Sequence, residues 1–410
     1  MKDRPFDMNS ISHIGAFPRR SRRLRDDPID TVVHLVDTMG PRGATALGEA
    51  QAAAYFNGRL RRAGLDVSAE VFRTRLAPGW DAVAIAGISL VGIMLGGWLP
   101  LPALLLFVAA SGWAWWLVAR EARPLLGRER ESQNVIGIRA IGSTTARWRL
   151  VVLAPLDSPP AINTFMQPLA VRPRATVVIA LAAMALLGCG AVWWYTGRVG
   201  WWYAQWLPLV LVWLLAGAQL MVLRARPSPG AAHHAGALAV LLSAVEELVA
   251  MERVEVWAVG VGAATRSSDG MADLLRRYPF EQESTLFVSL EGLGSGTLCF
   301  LTREGMLREH VADPLLLQLV TAADKADPLV DVEPRPLRSH TLLGHALHHA
   351  GRRVLTITCL NEDGSMPNAG SMRDVPATID APTMERAVRL VVGIVQQLDT
   401  LQEEPGTDEH

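Results

Sequence analysis

From Ala82 to Ala119 the chain carries no Asp, Glu, Lys or Arg, and the run breaks once, at Gly96-Gly97-Trp98-Leu99-Pro100-Leu101-Pro102. Two helices of about 17 residues joined by a tight Gly/Pro turn suit this pattern better than one overlong helix. A second pair follows, Ala175–Gly197 and Val199–Leu223, parted by the single charge Arg198. Uncharged runs of about 20 residues are what the hydrocarbon thickness of a bilayer demands. The pattern therefore predicts two transmembrane hairpins, residues 82–119 and 175–223, rather than core hairpins of a large soluble protein. No span so delimited holds an acid or base, which argues against a proton relay or ion path and hence against a transporter.

The polar segments 1–80, 120–173 and 224–410 alternate between helical and strand periods. Asp30–Gly64 reads as a helical region broken near Gly40-Pro41-Arg42-Gly43 and resuming over Glu49–Arg62. Short β-like runs follow at Val67–Thr74, Asn134–Arg139 and Trp148–Leu153. After the second hairpin the pattern gives a helix over Ala235–Ala250, a strand at Val254–Val261 and a helix over Asp269–Tyr278. Strands at Thr285–Leu290 and Leu298–Thr302, a helix around Thr341–Ala350, a strand at Val354–Thr358 and a closing helix over Pro382–Gln402 complete it. Apolar, β-branched strands between helices predict an α/β fold, a mixed and mostly parallel sheet with helices on both faces, interrupted by the four transmembrane helices. Since two hairpins return the chain to its starting side, the three polar segments can assemble into one domain.

Composition sharpens this. Half of the 410 residues are hydrophobic and only 19% are charged, and twelve of the 13 Trp fall between Trp80 and Trp213. Five of them, Trp193, Trp194, Trp201, Trp202 and Trp206, crowd the second turn as an interfacial aromatic belt does. Basic and acidic residues balance at 39 against 40, which leaves no global field for nucleic acid. The three cysteines, Cys189, Cys299 and Cys359, show no metal-ligand spacing and point to a reduced compartment. The N-terminal residues are polar and Arg-rich without an apolar core, unlike a secretory signal peptide. Arg73 and Arg75, Arg120, Arg123, Arg128 and Arg130, Arg172 and Arg174, and Arg224 and Arg226 flank the hairpin bases, whereas the turns carry only Arg198. The positive-inside rule then sets the polar domain in the cytoplasm and the protein in the inner, cytoplasmic membrane.

The order of short motifs resembles one family, the zinc-dependent aminopeptidases of clan MH, aminopeptidase Y type. Gly40-Pro41-Arg42-Gly43, the helix after it and Arg62-Ala63-Gly64-Leu65-Asp66-Val67 are similar to its opening. Ser132-Gln133-Asn134-Val135-Ile136-Gly137 resembles its next strand, and Leu153-Ala154-Pro155-Leu156-Asp157-Ser158 its H-x-D-S strand end. Gly230-Ala231-Ala232-His233-His234-Ala235 stands where the family has G-A-x-D-N-A, Gly262-Ala263-Ala264-Thr265 where it has G-A-E-E, and Ser289-Leu290-Glu291-Gly292 at the next Asp. Asp374-Val375-Pro376-Ala377-Thr378-Ile379-Asp380 resembles the D-T-P-D-x-I-D that follows the last zinc-binding His. The collinearity covers nearly all of the polar sequence.

That resemblance implies a peptidase-like domain and, in the family, two zinc ions bridged by a carboxylate, with a non-ligand Glu as general base. Position by position, the first His ligand becomes Pro155, the bridging Asp becomes His233 and the general base becomes Ala264. The neighbouring Glu ligand becomes Thr265, the next Asp becomes Glu291, and the last His becomes Gly370. Asp157, which orients a ligand in the family, is kept. The resemblance thus implies a fold that has lost its zinc site, with no cofactor. Zincless members of the clan act as scaffolds of membrane complexes, which implies a binding or assembly module whose partners are the lipid bilayer, a membrane or cytoplasmic protein and peptide ends. The alternative is an active metallo-aminopeptidase whose single zinc is held by a rewired set, His233, His234 and Glu291 with His345, His348 and His349. The last three stand at i, i+3 and i+4 of one helix. Ser158 lacks a nucleophile-elbow context, Thr265 has no adjacent base, and the glycines of 292–296 join two strands and open no helix.

Overall fold

The computed structural model describes residues 27–76, 78–119, 124–139, 146–162, 172–248, 251–306, 308–338 and 342–401. The first 26 residues, the tail from 402, and Arg120, Arg123 and His340 lie outside that set. Its core is a nine-stranded sheet. The strands are β1 (Asp66–Arg75), β2 (Glu129–Arg139), β3 (Trp148–Pro155), β4 (Val254–Val261), β5 (Thr285–Leu290), β6 (Thr297–Glu304), β7 (His310–Val311), β8 (Glu333–Leu337) and β9 (Val354–Leu360). In space they run β1-β2-β4-β3-β5-β9-β6-β7, with β8 on the far side of β6. The four central strands β4, β3, β5 and β9 are parallel, and β2 and β6 pair antiparallel with them on either side. The sheet is mixed, as expected: its centre is parallel, β1, β2, β6 and β7 join by antiparallel pairing, and β8 runs parallel to β6.

The central strands are buried on both faces, which explains their unbroken apolar sequence. On one face Phe56 and Leu60 of helix Leu47–Arg62, Leu238 and Leu242 of helix Gly236–Glu247, and Leu390 and Ile394 of helix Ala381–Thr400 pack into the main core. On the other, Met271 and Leu274 of helix Asp269–Arg277 and Leu347 of helix Gly344–His349 cover Val151, Leu153 and Phe287. Helix Pro314–Ala326 and strands β7 and β8 escaped the sequence reading. Helix Pro314–Ala326 is capped by Asp313, which accepts from Leu315 N at 3.0 Å and Leu316 N at 3.2 Å, with Pro314 opening its first turn. Strand β8, Glu-Pro-Arg-Pro-Leu, hides behind two prolines that an edge strand tolerates.

Four described helices are long and apolar enough to cross a membrane: Gly79–Gly96, Pro100–Ala119, Arg174–Thr196 and Val199–Arg224. They match the two predicted hairpins. The last is interrupted at Gln205, because Pro208 has no N–H to return to Ala204. Each hairpin packs within itself and against the other, around Ile85, Ala86, Ala110, Ala114, Ile179, Ala183, Val212 and Ala216. The first hairpin interrupts a continuous β1–β2 ladder, in which Arg75 still faces Glu129. One expectation is corrected. The first of these helices begins before Ala82 and includes Asp81, a fully buried carboxylate that accepts from Trp113 Nε1 at 3.2 Å and from the Leu125 and Leu126 amides at 3.1 and 3.3 Å. It caps the loop after the second helix.

Candidate functional site

The residues singled out by the motifs converge where β3, β4 and β5 end. Asp157, two residues past β3, is fully buried. Its carboxylate accepts from Ala264 N at 3.0 Å and Thr265 N at 3.1 Å, and also from the Thr265 hydroxyl. Burial raises the Asp157 pKa, although His234 and the Thr265 bonds pull against it. Behind it the turn after β4 is held tightly. A Cβ on Gly262 would collide with the Gln133 carbonyl and the Ser132 hydroxyl, and Ala263 sits at φ +49, a strained value for a residue with a side chain. Glu49 holds that turn, accepting from Ala263 N at 2.6 Å and Ser132 Oγ at 2.8 Å. Burial first, then the Asp157 charge, pushes Glu49 up to about 7.

His233 and His234 stand in a π-type turn, Ala231–Ala235, that opens helix Gly236–Glu247, their rings stacked at 4.6 Å. Asp374 caps this turn, accepting from Ala232 N at 2.7 Å and His233 N at 3.3 Å. His234 Nδ1 lies 2.5 Å from the Asp157 main-chain oxygen, and its Nε2 lies 3.3 Å from Glu291 Oε1. Both partners are oxygens that can accept from the ring, an environment that favours the protonated form of His234. Burial alone lowers its pKa, but the Glu291 bond and charge, with Asp157, outweigh that and raise it. Glu291 moves the opposite way. Burial raises its pKa, while the His234 bond and the His234 and His233 charges lower it overall. Its second oxygen takes Leu343 N at 2.8 Å. The Arg42 guanidinium is buried beside Asp157 and Asp374 and donates to Leu35 O at 2.9 Å and Gly230 O at 3.1 Å.

The remaining candidates separate from this centre. Gly370 adopts φ +61 and accepts from Ile162 N at 2.9 Å, tying its loop to the stem of the second hairpin. The rewired set of six does not form one site. His233, His234 and Glu291 offer three donor atoms within 4.8 Å of one another, whereas His345 and His349 gather with His310 in a second group. His348 turns to Glu304, its Nε2 2.9 Å from Oε1. One helix cannot present i, i+3 and i+4 side chains to the same point when strand β6 offers one of them a buried carboxylate. Ser158 donates to Ser228 O at 2.8 Å and accepts from Arg42 N at 3.1 Å, so its hydroxyl is structural. The glycine-rich loop after β5 is closed by its own chain, with Gly292 N on His233 O at 2.6 Å. Glu49 escaped the sequence reading as a site residue, and His310 was given little weight in it, because only tertiary contact brings them to these clusters.

Solved structures of the same architecture exist. They include a zinc aminopeptidase from Bacillus subtilis (TM-score 0.55, 13% identity, covering 91% of this chain and 94% of that one). A leucine aminopeptidase precursor from Bacteroides thetaiotaomicron follows (TM-score 0.52, 13% identity, 90% and 96%). So does a glutaminyl cyclase from that organism, bound to N-acetylhistamine (TM-score 0.51, 13% identity, 90% and 96%). The fold is aminopeptidase-like. No protein-family model matches the sequence, and no curated protein does. Identities this low establish the fold and leave the chemistry to the site.

A two-zinc centre does not fit these residues. Pro155, Ala264 and Gly370 offer no side-chain donor, and the Asp157 oxygens are spent on Thr265 and Ala264. Both ring nitrogens of His234 already face oxygen partners, the Asp157 main-chain oxygen and Glu291. The single carboxylate of the donor group, Glu291, is already held by His234 and Leu343.

Proposed function

We propose that this chain is a multi-pass membrane protein whose aminopeptidase-like domain is catalytically inactive and serves as a binding or assembly module. The observation that carries the reading is the His234–Glu291 ion pair, with Asp157 bound to Ala264 and Thr265, filling the place of a ligand set and general base. An internally satisfied ion pair resists both metal and substrate carbonyl. The outward residues of the four apolar helices, among them Leu105, Trp115, Leu181, Trp194, Leu207 and Leu214, are exposed, which suits contact with the lipid bilayer. The arginine-flanked bases favour a cytoplasmic domain at the inner membrane. Ala161 N meets Arg226 O at 2.8 Å and Ser228 N meets Pro159 O at 2.8 Å, so the legs of the second hairpin are joined beside the site. A peptide end or partner protein bound there would be held next to the membrane.

The test uses the full chain in detergent, saturated with zinc and offered peptides with free amino termini. No release of N-terminal residues is expected. Release that disappears on His233→Ala or Glu291→Ala overturns the proposal and favours an active hydrolase with one metal on His233, His234 and Glu291, whose donor atoms lie within 4.8 Å of one another.

A further inference from the structure

The second histidine group shares no residue with the His233, His234 and Glu291 group, although Leu343, the N-cap residue of its helix, donates its N–H to Glu291. His310 comes from β7, at the end of the sheet, where it pairs in register with Glu304 of β6. His345 and His349 come from helix Gly344–His349, one turn apart and hence on one face. One ring nitrogen from each of the three lies within 4.8 Å of the other two. Their rings are steeply inclined rather than stacked, at 74° for His310 and His345, 63° for His310 and His349, and 68° for His345 and His349. Among the described residues, His310 Nε2 and His345 Nδ1 are buried and make no hydrogen bond. Leaving such buried atoms unpaired is unfavourable. An arrangement that accepts this cost at two rings facing each other suits a ligand that accepts lone pairs.

We propose that His310, His345 and His349 form a binding site for one divalent transition-metal ion, distinct from the positions where aminopeptidases hold zinc. Three imidazoles about 2.0–2.1 Å from an ion leave a tetrahedral fourth position open. The nitrogens, now within 4.8 Å of one another, would close to roughly 3.3 Å around such an ion. All-imidazole donors select zinc, cobalt, nickel or copper over magnesium and calcium. Burial, then crowding by His349, His310 and His348, pushes His345 down to about 4, so its lone pair is available at neutral pH. His348 stacks on His310 at 5.2 Å and carries the Glu304 carboxylate behind the cluster, a negative charge that favours a cation. The ion would clamp the β7 edge to the helix, two segments separated by the whole of Pro314–Ala326 and β8.

The test takes the detergent-purified full chain, prepared without a polyhistidine tag, stripped with chelator and titrated with Co²⁺ and Zn²⁺. The wild type is expected to bind one equivalent of Co²⁺ with the visible bands of a tetrahedral nitrogen site. His345→Ala and the exposed His349→Ala should each lose that equivalent and those bands, whereas His233→Ala and His234→Ala keep them. Should His345→Ala fold poorly, His349→Ala alone decides the matter. A wild type without the bands, or bands unchanged in His349→Ala, overturns the site.

Discussion

Arg42 shows how much of the centre rests on one side chain. It is buried between Asp157 and Asp374, and burial lowers its pKa to about 10 against the pull of those carboxylates. Replacing it with Met removes one counter-charge from two buried acids, so Arg42→Met is expected to cost about 3–5 kcal/mol, read as a lowered denaturation midpoint in detergent. Glu49 makes a pH-dependent contribution. Its pKa rises from an ordinary 4.5 to about 7 in the folded chain, so the folded state holds the proton more tightly than the unfolded one. That contribution is fully present below about 4.5 and is lost as pH rises through about 7, a change of about 3 kcal/mol at most. Stability should therefore fall between pH 5 and 8 in the wild type and change less in Glu49→Gln; equal slopes would show that Glu49 does not titrate there. The motif positions Asp157, His233 and Glu291 were legible as a cluster from their order in the sequence. That His234, rather than His233, carries the Glu291 bond was not, because a one-residue choice depends on the π-type turn at Ala231–Ala235.

Among elements, the apolar helices are the most legible and their packing the least. Gly190 and Gly92 give room to the Phe107 ring, and Gly96 faces Trp193, while nothing lies within 4 Å of a Cβ on Gly188. Small residues here let the helices of one chain approach. Gly92→Leu should therefore destabilise the bundle by about 1–3 kcal/mol through overpacking, whereas Gly188→Leu is tolerated; protease resistance of the two variants in detergent checks the contrast. The strands from Val254 and Thr285 were read with their exact bounds, because apolar β-branched runs between turns have few alternatives. Helix Pro314–Ala326 was missed although Asp313-Pro314 announces its start, and β8 was missed because its pairing, not its composition, makes it a strand.

For the whole molecule, the two insertions leave the sheet continuous because each helical hairpin returns the chain close to where it left. If the arginine-flanked bases face the cytoplasm, a single cysteine placed at Arg198 in a cysteine-free chain should react with an impermeant thiol reagent added outside intact cells. One at the exposed Gln282 should react only after lysis, and the reverse pattern would invert the topology. The sequence by itself determined the class of the fold and the four apolar helices, because periodicity and charge are local properties of the chain. Only the tertiary structure decided that Asp81 lies inside the first apolar helix, that Glu291 pairs with His234, and that the helix histidines join His310 instead of the old centre. Those outcomes depend on which buried groups meet across tens of residues, where a donor or charge that lacks water must take whichever partner the packing brings within reach.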